Sequence, residues 1–379
     1  MNHPKMVFLA QTSGHHLEYF NHLYKHIGEN KKHIEYVFVV PEEFHNLKDK
    51  FVWKSYENIS FHYIDEIDLK GHVKNKFKKA FYLSRLLKKT MKEHNSKDVF
   101  LIDLMTFLPF LPFFLSNKNN VSGIIYHIYL YKWKESSTFG KIQDVLKYLL
   151  FTKFSCFSNI FILNDSSSSK RLNTLYKVNK FKYLVDPIVP IKSNELKDLR
   201  SQWSINNEDQ IILHFGAMTK TKGTLDVLNF VKMASENDLK NMVFVFAGVV
   251  KSDIKKEFYK LIDELKVKCS IFVFDEFLDF DFTASLFNSC DIVFCPYQRI
   301  YQSSGVIGYS VQFNKPVIVP NQGLLGKLVR NNKIGITYEK FECQIIIDIL
   351  FKAKKYQINN DYLKHHSIEE FSSTILKSI

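Results

Sequence analysis

Cysteine is scarce in this sequence and forms no recognisable pattern. No two of the five cysteines have C-x-x-C spacing: they are Cys156, Cys269, Cys290, Cys295 and Cys343. An odd number without such spacing excludes a complete disulfide framework and predicts reduced, buried thiols in a cytosolic protein. Metal-ligand spacing is missing as well, because His15–His16 and His365–His366 are adjacent pairs and neighbouring side chains rarely point at one ion. We therefore expect no metal site.

Long apolar runs are also missing. The most apolar region, Leu104–Leu115, is shorter than the roughly 20 residues needed to cross a bilayer, and two prolines interrupt it. The segment Met1–Lys5 has no signal-peptide pattern and leads directly into the strand-like stretch Met6–Ala10. These absences predict a cytoplasmic protein without a membrane span.

Acidic residues are fewer than basic ones. The sequence has 39 Asp and Glu against 52 Lys and Arg, and its formal net charge is +13. This balance favours anionic partners such as nucleotides or phospholipid head groups. The lysines are spread along the chain rather than concentrated in a stripe, so we expect no nucleic-acid partner. The segment Lys70–Lys92 places Phe77 and Phe81 between lysines and is a candidate for peripheral contact with the inner membrane. An ordinary amphipathic surface helix is the simpler interpretation.

Short apolar runs alternate with longer amphipathic segments. The predicted strands are Met6–Gln11, Ile34–Val40, Ile59–Ile64, Asp98–Asp103, Gly123–Ile128, Ile160–Leu163, Gln210–Phe215, Met242–Ala247, Ser270–Phe274, Asp291–Cys295 and Pro316–Val319. Helical periodicity lies between many of them, at His16–Ile27, Lys74–Lys92, Lys141–Phe151, Leu225–Ala234, Lys255–Leu265 and Asp281–Asn288. Near-continuous apolar strands alternating with helices predict an α/β fold with parallel sheets covered on both faces.

This pattern runs twice, with a break at Asp186–Pro190, where two prolines precede the polar stretch Ile191–Asp209. The sequence therefore predicts a Rossmann-like N-terminal domain at residues 1–187 and a Rossmann-like C-terminal domain at 188–352. We expect the helices of 353–379 to pack back toward the N-terminal domain. Because ligands bind beyond the carboxyl ends of parallel strands, two such domains would face a cleft lined by residues that follow strands.

The first candidate site follows the strand Gln210–Phe215. Gly216 can adopt backbone angles that a side chain would forbid, and Lys222 precedes a helix, where its ammonium can meet phosphate oxygens. The structural alternative is an ordinary strand-to-helix turn with surface lysines.

The second candidate follows the strand Asp291–Cys295. Ser303 or Ser304 is a natural N-cap, and Gly305 lets an anion approach the start of the helix that follows. A plain serine-capped helix is the alternative.

Two further candidates lie in the N-terminal half. Gly14 belongs to a turn between the first strand and the first helix, which can line an acceptor site or touch a phosphate. His127 ends the strand Gly123–Ile128 and can bond a sugar hydroxyl or act as an acid or base. The alternatives are a tight βα turn and a structural histidine.

Two kinds of site are not indicated. The Gly14 turn lacks G-x-G-x-x-G, so the dinucleotide fingerprint is not present. Asp103, Asp165 and the pair Asp275-Glu276 follow strands, but their spacing does not single out a general acid and base. A hydrolase with two catalytic carboxylates is therefore not supported.

Taken in this order, the pieces resemble the GT-B-fold glycosyltransferases of family 4, which include many bacterial sugar transferases for lipopolysaccharide, capsule and exopolysaccharide. The resemblance is good over Gln210–Thr337 and weaker over the first half. The segments that carry it are Gly216 with Lys222-Gly223, the strand ending at Gly248, the strand and loop Ile271–Phe277, the strand Asp291–Pro296 with the helix after it, and Lys315–Ile318 with the turn Asn321–Gly323.

The resemblance implies roles for these residues. Lys222 would bind the donor diphosphate and, with His127, contribute to catalysis. The donor nucleotide sugar would contact Gly14, Gly216, Lys222, Glu276, Phe277, Ser303, Ser304, Gly305 and Tyr309. The family generally retains the anomeric configuration, needs no metal and uses its nucleotide sugar as a substrate rather than a resident cofactor. UDP or GDP is the expected donor nucleotide.

The sequence departs from the family pattern at two glutamates that usually precede the Lys-Pro-Val-Ile segment. Tyr301 and Tyr309 occupy these positions, and Ala217 replaces a frequent arginine. The first glutamate usually contacts the donor sugar and the second the ribose. Gln302, Ser303, Tyr309 and Gln312 are candidates to replace them by hydrogen bonding.

The sequence thus predicts a hexosyltransferase-like enzyme that moves a sugar from a nucleotide-diphosphate donor to a glycan or lipid-linked acceptor in cell-surface polysaccharide biosynthesis. The alternative is an inactive partner subunit with the same fold. The phosphate-binding residues Lys222, Ser304 and Gly305 argue against it, because an inactive site has no need of them.

Overall fold

The computed structural model describes residues 3–12, 15–50, 54–65, 75–126, 128–133, 136–191, 196–299, 301 and 304–379, apart from the side chains of 48–50 and 132. The chain divides into two compact units. The first comprises Met1–Asp186 with Ile368–Ile379, and the second comprises Pro187–Ser367. The division falls at the predicted linker, and the segment 353–379 is shared between the two units.

The first unit contains the strands β1 Lys5–Phe8, β2 Tyr36–Pro41, β3 Ile59–Ile64, β4 Asp98–Leu101, β5 Asn120–Ile125, β6 Phe157–Leu163 and β7 Phe181–Leu184. The second unit contains β8 Gln210–Phe215, β9 Met242–Ala247, β10 Ser270–Phe274, β11 Ile292–Phe294, β12 Val317–Pro320 and β13 Gly335–Tyr338.

The described α-helices, in chain order, are α1 His15–Asn30, α2 Lys76–Glu93, α3 Leu111–Phe114, α4 Tyr129–Lys132, α5 Thr138–Lys153, α6 Ser166–Tyr176, α7 Leu199–Gln202, α8 Thr224–Met233, α9 Glu236–Leu239, α10 Ser252–Leu265, α11 Phe280–Ser289, α12 Gly305–Gln312, α13 Gly323–Asn332, α14 Cys343–Ala353, α15 Asp361–His365 and α16 Ile368–Leu376. Shorter 3₁₀ turns lie at Glu42–Lys50, Leu104–Phe107 and Lys220–Lys222. None of these helices is both long enough and apolar enough to cross a bilayer.

The first sheet has the strand order β3-β2-β1-β4-β5-β6-β7, and its strands run parallel. Because successive side chains of a strand point to opposite faces, Met6 and Phe8 enter one core cluster while Val7 and Leu9 enter another. A fully buried aliphatic or aromatic side chain contributes about 1.5–3 kcal/mol, so burial on both faces stabilises the sheet. The C-terminal helix α16 packs in the second of these clusters, where the Phe371 ring lies 5.0 Å from the Tyr19 ring.

The second sheet has the order β10-β9-β8-β11-β12-β13 and is also parallel. Its strands β8 and β9 pair in register from Gln210 opposite Met242 to Phe215 opposite Ala247. One core cluster lies on each face here too. The predicted parallel sheets covered on both faces are therefore confirmed.

The strand bounds agree with the prediction in some central strands and in some edge strands. The bounds of β3, β8, β9 and β10 are the predicted ones. The strands β7 and β13 and the longer helices α6 and α13 were not predicted, and neither were the four-residue helices α4, α7 and α9. The two strands lie at sheet edges, and both include partly exposed residues.

Candidate active site

Each sheet reverses its strand order at one place. In the second sheet the chain runs outward from β8 to β9 and β10, and then returns to the other side of β8 to form β11. Ligands of open α/β sheets bind in the crevice outside the carboxyl ends at such a switch point. The predicted candidates Gly216 and Lys222 follow β8, and Ser304 and Gly305 follow β11, so the topology places them on either side of this crevice.

Two glycines form the backbone at the ends of β8 and β9. Gly216 has φ +106° and Gly248 has φ +130°, both in a region that side chains rarely adopt. A Cβ on Gly248 would lie 2.3 Å from the carbonyl oxygen of Gly216. The two turns can therefore approach one another only because residue 248 is a glycine, and Gly216 is required by its own backbone angle. The helix α12 starts nearby, since a Cβ on Gly216 would lie 3.9 Å from Val306 Cγ2.

Lys222 is the cation of this crevice. Its ammonium lies over the ring of Tyr297, with Nζ 3.7 Å from the ring centroid. Burial lowers the pKa of Lys222 below its ordinary value, and the Cys295 thiol opposes that shift. Among the described residues, no carboxylate lies within ion-pair distance of this ammonium. A partly desolvated cation that rests on an aromatic face is arranged to bind an anion from outside the protein.

The turn that carries Lys222 is fixed against the turn after β11. Gly223 has φ +74°, and a Cβ there would lie 2.1 Å from the carbonyl oxygen of Pro296. The amide of Gln298 donates to the carbonyl of Thr221 at 3.0 Å. The Thr219 hydroxyl accepts from the amide of Lys222 at 3.2 Å. These bonds hold the lysine beside Tyr297 without contacting its ammonium.

The helix α12 begins at Gly305, with Ser304 in the N-cap position. The Ser304 side chain does not cap the helix, contrary to expectation; its hydroxyl lies 3.2 Å from the Tyr297 hydroxyl. Among the described residues, the amides at the start of α12 therefore have no side-chain cap. Through Tyr297, the structure brings Ser304 and Lys222 to one place.

Tyr309 and Gln312 lie further along α12. The Tyr309 ring packs edge-on against Phe215, with centroids 6.1 Å apart, and also contacts Phe287. Gln312 Oε1 accepts from the amide of Ile191, and its Nε2 donates to the carbonyl of Val189. Gln312 thus fixes the linker before β8, and its replacement of a glutamate in donor binding stays a prediction.

Glu276 and Phe277 follow β10, two strands away from β8, and both are exposed. The preceding Asp275 has a structural role. It accepts from the amide of Val250 at 2.7 Å and from the Tyr259 hydroxyl at 2.9 Å, and it pairs with Lys255 at 2.7 Å. This carboxylate ties the turn after β9 to the end of β10.

His214 in β8 is a site component that the sequence prediction missed. Its ring is buried, with Nδ1 3.0 Å from the carbonyl oxygen of Phe294 and Nε2 2.9 Å from the Thr224 hydroxyl. Burial lowers its pKa to about 4, so the ring is neutral near pH 7. A neutral ring donates from Nδ1 and accepts at Nε2, which joins β11 to the start of α8. The sequence prediction missed Tyr297 too. In both cases, a polar or aromatic residue near the end of a buried strand was the sequence signal that could have identified it.

The first sheet has its switch point between β1 and β4, and its residues have a different chemistry. His16 lies at this edge, with its ring stacked on Tyr126 at 4.7 Å and Nδ1 3.0 Å from Gln11 Nε2. Burial lowers the pKa of His16, and Asp103 partly opposes the shift. Asp103 itself accepts from the Thr106 hydroxyl at 2.6 Å. This edge combines a carboxylate with imidazole and phenol rings, a set that suits hydroxyl groups rather than phosphate.

Three of the predicted site residues, Gly14, His127 and Ser303, lie outside the described residues, as does Gln302. Their expected roles stay predictions.

A comparison with known protein families shows which kind of domain contains this crevice. Residues 196–360 match the model of a family described as "Glycosyl transferases group 1". This segment is a group 1 glycosyltransferase domain. It includes β8 to β13 and therefore the whole crevice around Lys222. Among curated proteins, no sequence matches this chain.

Solved glycosyltransferase structures share the fold of the whole chain. HepE from Anabaena, in complex with UDP and glucose, superposes with a TM-score of 0.67 at 14% identity and covers 99% of both chains. WaaG, a glycosyltransferase involved in lipopolysaccharide biosynthesis, has a TM-score of 0.63 at 14% identity and covers 97% of this chain and 95% of its own. A UDP-forming trehalose-phosphate synthase from Burkholderia vietnamiensis has a TM-score of 0.65 at 8% identity, with 99% of both chains covered. These matches confirm the predicted GT-B fold of two Rossmann-like sheets.

Proposed function

We propose that this glycosyltransferase moves a sugar from a nucleotide-diphosphate sugar to a glycan or lipid-linked acceptor, with the donor diphosphate bound at Lys222. The observation that carries the proposal is the position of the Lys222 ammonium, 3.7 Å above the Tyr297 ring at the switch point of the second sheet. No carboxylate of the described residues pairs with it, so a bound diphosphate is the natural counter-ion.

Lys222 and the start of α12 would stabilise the leaving group. As the bond between sugar and diphosphate breaks, negative charge grows on the diphosphate oxygens. The Lys222 ammonium is already in place over the Tyr297 ring, and Ser304 does not cap the backbone amides at the start of α12. Both groups would meet that charge without reorganisation. Donors of this kind are often worth about 3 kcal/mol in barrier height. Since Lys222 supplies the positive charge, we propose a metal-independent reaction.

The acceptor's proton can be taken by a diphosphate oxygen, so this chemistry requires no dedicated base. Such a mechanism retains the anomeric configuration, as the resemblance implies. Glu276 and Phe277 are exposed at the end of β10 and are proposed to contact the nucleotide base. Tyr309, held edge-on against Phe215, is proposed to lie beside the ribose. The UDP bound in HepE favours UDP among the expected donors.

The acceptor is proposed to bind at the switch point of the first sheet. His16 and Asp103 lie there, and His127 follows the neighbouring strand β5 in the sequence. Carboxylate and imidazole groups bond well to sugar hydroxyls. The involvement of WaaG in lipopolysaccharide biosynthesis favours an acceptor of the cell-surface polysaccharide class. An inactive partner subunit is the alternative function.

Thermal unfolding in the presence of UDP, GDP, ADP, CMP and TDP tests the donor site. We expect one nucleoside diphosphate to raise the Tm of the wild type and to have little effect on Lys222→Ala. Lys220→Ala is the matched control, because Lys220 is an exposed lysine of the same turn. Sugar donors on the selected base would then be assayed for transfer.

The outcomes separate the two functions. Stabilisation that depends on Lys222, together with sugar transfer, supports the enzyme. Stabilisation without transfer to any hydroxyl acceptor supports the inactive partner. If no diphosphate stabilises the wild type, the donor site is wrong.

A further inference from the structure

The first unit has a cavity of about 470 Å³ at the amino ends of two neighbouring strands. Ser96 lines it two residues before β4, and Asn119 lines it directly before β5. The acceptor site proposed above lies at the carboxyl ends of the same parallel sheet, so the cavity is at the opposite edge and is a separate place in the fold. A cavity of this size is large enough to hold a small-molecule ligand.

Two lysines give the cavity its charge. Lys88 and Lys92 line it from α2, and residues four positions apart lie on the same face of a helix. The neighbouring Lys89 pairs with Glu93 at 3.6 Å, but Lys88 and Lys92 have no ion-pair partner among the described residues. No acidic side chain is among the described residues of the lining. Two like charges this close repel each other, so the cavity favours a ligand with an anionic group.

Two asparagines of the lining add hydrogen-bonding groups that the described part of the chain leaves available. The Oδ1 atom of Asn119 accepts from the amide of Ser116 at 2.9 Å and from its hydroxyl at 3.0 Å, which fixes the side chain. Its Nδ2 atom has no acceptor among the described residues. Asn95, just after α2, is exposed, and its side-chain amide has no described partner either. Amide groups both donate and accept hydrogen bonds, which suits the hydroxyl groups of a sugar.

One wall of the cavity contains an exposed aromatic ring. Phe113 is 66% exposed, and its ring packs edge-to-face with Phe154, with centroids 5.3 Å apart and 76° between the ring planes. This contact holds the ring in a fixed orientation beside the cavity. The C–H groups on one face of a pyranose ring are weakly positive and pack on the negative face of an aromatic ring. The wall therefore suits a sugar ring that lies flat on Phe113.

The composition of the lining separates a sugar from other anionic ligands. Six of the ten described lining residues are polar, and an acyl chain of a lipid would leave their polar groups without hydrogen bonds. A nucleic acid would need phosphate contacts along a basic stripe, whereas the described lining offers two lysines one helical turn apart. A hydroxyl-rich ligand with a small number of anionic groups matches the cavity best.

We propose that this cavity binds an acidic glycan. A carboxylate or phosphate of the glycan would meet Lys88 and Lys92, one sugar ring would pack on Phe113, and neighbouring hydroxyls would bond to Asn95 and Asn119. A glycan bound at this edge of the sheet would stay at a high local concentration near the enzyme between successive transfers. The binding site does not depend on the donor site; its role in transfer rests on the proposed function.

Titration calorimetry of the full chain with acidic oligosaccharides tests the site. The probes are tetragalacturonate and a phosphorylated maltotetraose, and we expect the wild type to bind at least one of them. The neutral counterparts, methyl-esterified tetragalacturonate and maltotetraose, should bind at least about tenfold more weakly, because they lack the anionic groups that meet the lysines.

Variants of the lining should weaken binding of the acidic probe. Lys88→Ala/Lys92→Ala should weaken it at least about tenfold, because both ammonium groups are lost. Phe113→Ala should weaken it about fivefold, whereas Phe113→Trp keeps an aromatic face and should bind like the wild type.

Matched variants separate the cavity from a general effect of charge. Lys78→Ala/Lys89→Ala removes the same charge from α2 outside the described lining, and Phe77→Ala removes an exposed ring from the same helix. Both should bind the acidic probe like the wild type, and unchanged Tm values would show that all variants are folded. Lys222→Ala should bind it normally too, so a failure of the donor site and a failure of this cavity can be told apart.

Several results would overturn the proposal. These are no binding of either acidic probe, equal weakening by the two lysine pairs, and binding of tetraglutamate as tight as that of tetragalacturonate. Phosphatidylglycerol vesicles or a single-stranded oligonucleotide that bind through Lys88 and Lys92 in place of the glycans would assign the cavity to another ligand.

Discussion

The switch points of the two sheets have the same topology and opposite chemistry. At the second sheet, glycines bring backbone turns together around the Lys222 ammonium, and no acidic partner for it is found among the described residues. At the first sheet, Asp103 lies near His16 and stacked aromatic rings. The fold fixes where a ligand can bind, but the residues after each strand decide its class: an anion in one unit and a hydroxyl compound in the other.

The largest expected effect comes from Gly223→Ala. The new Cβ would lie 2.1 Å from the Pro296 carbonyl oxygen in a residue with φ +74°. Clash and backbone strain together should lower the free energy of unfolding by about 4 kcal/mol and separate Lys222 from Tyr297. Denaturant unfolding measures the change. Gly140→Ala, in helix α5, is the control and should change stability far less, because the new Cβ would approach only the Ser137 hydroxyl, at 3.3 Å, and helical Gly→Ala changes are usually favourable.

The next effect is expected from His214→Ala, which breaks the connection between β11 and α8. Two buried hydrogen-bonding groups would lose their partner, so stability near pH 7 should fall by about 3 kcal/mol. The buried His214 should also give the wild type a characteristic dependence of stability on pH. Because the folded pKa is about 4 and the ordinary value is 6.5, only the unfolded chain binds a proton as the pH falls through this range.

Stability of the wild type should therefore be complete above pH 6.5 and decrease toward pH 4, by up to about 3 kcal/mol from this residue. The variant should show a shallower acid slope, measured by denaturant unfolding at several pH values. Some slope should persist, because burial also lowers the pKa of His22 to about 4. An identical slope in the variant and the wild type would contradict a neutral, buried His214.

A smaller effect is expected from Tyr297→Leu, which removes the ring beneath the ammonium while keeping an apolar side chain. The loss of the cation–π contact should weaken nucleoside diphosphate binding by about 1 kcal/mol. Titration calorimetry measures it. Tyr297→Phe keeps the ring and removes the hydroxyl that meets Ser304, so it should bind more like the wild type. Equal weakening in both variants would assign the effect to the hydroxyl instead.

The smallest effect is expected from His16→Gln in the first unit. It should change the acceptor KM by about fivefold, the size of one hydrogen bond, and leave diphosphate affinity unchanged. Lys222→Ala should weaken diphosphate binding and leave the acceptor KM unchanged. If His16→Gln weakens the diphosphate as strongly as the acceptor, the division of roles between the two sheet edges is wrong.

The sequence predicted the parts of the fold that depend on local patterns. Continuous apolar runs such as Met242–Ala247 predicted strand bounds correctly, because strands buried on both faces are apolar throughout. The edge strands β7 and β13 were missed because each has only four residues and the two central ones are not buried, so neither forms a continuous apolar run. The turn at Gly216 and the position of Lys222 just before a helix were also predicted, since turns and helix starts have local sequence signals.

Long-range contacts could not be predicted from the sequence. Neither the position of Tyr297 beneath Lys222 nor the burial of His214 between β11 and α8 follows from any short segment, because both depend on strand order. Gln312 illustrates the same point, since its pattern suited donor binding but its side chain holds the linker at Val189 and Ile191. The lysines of α2 and α5 looked scattered because the sequence does not show that these two helices cover the same core cluster.

The central claim is that Lys222 binds the outer phosphate of the donor nucleotide. Titration calorimetry of UDP and UMP, or of the diphosphate and monophosphate of whichever base is selected, measures this directly in the wild type and in Lys222→Ala. The account predicts that the wild type binds the diphosphate about tenfold or more tightly than the monophosphate, the size of a charge-assisted hydrogen bond, and that this preference disappears in the variant. A preference of equal size in both proteins would contradict it.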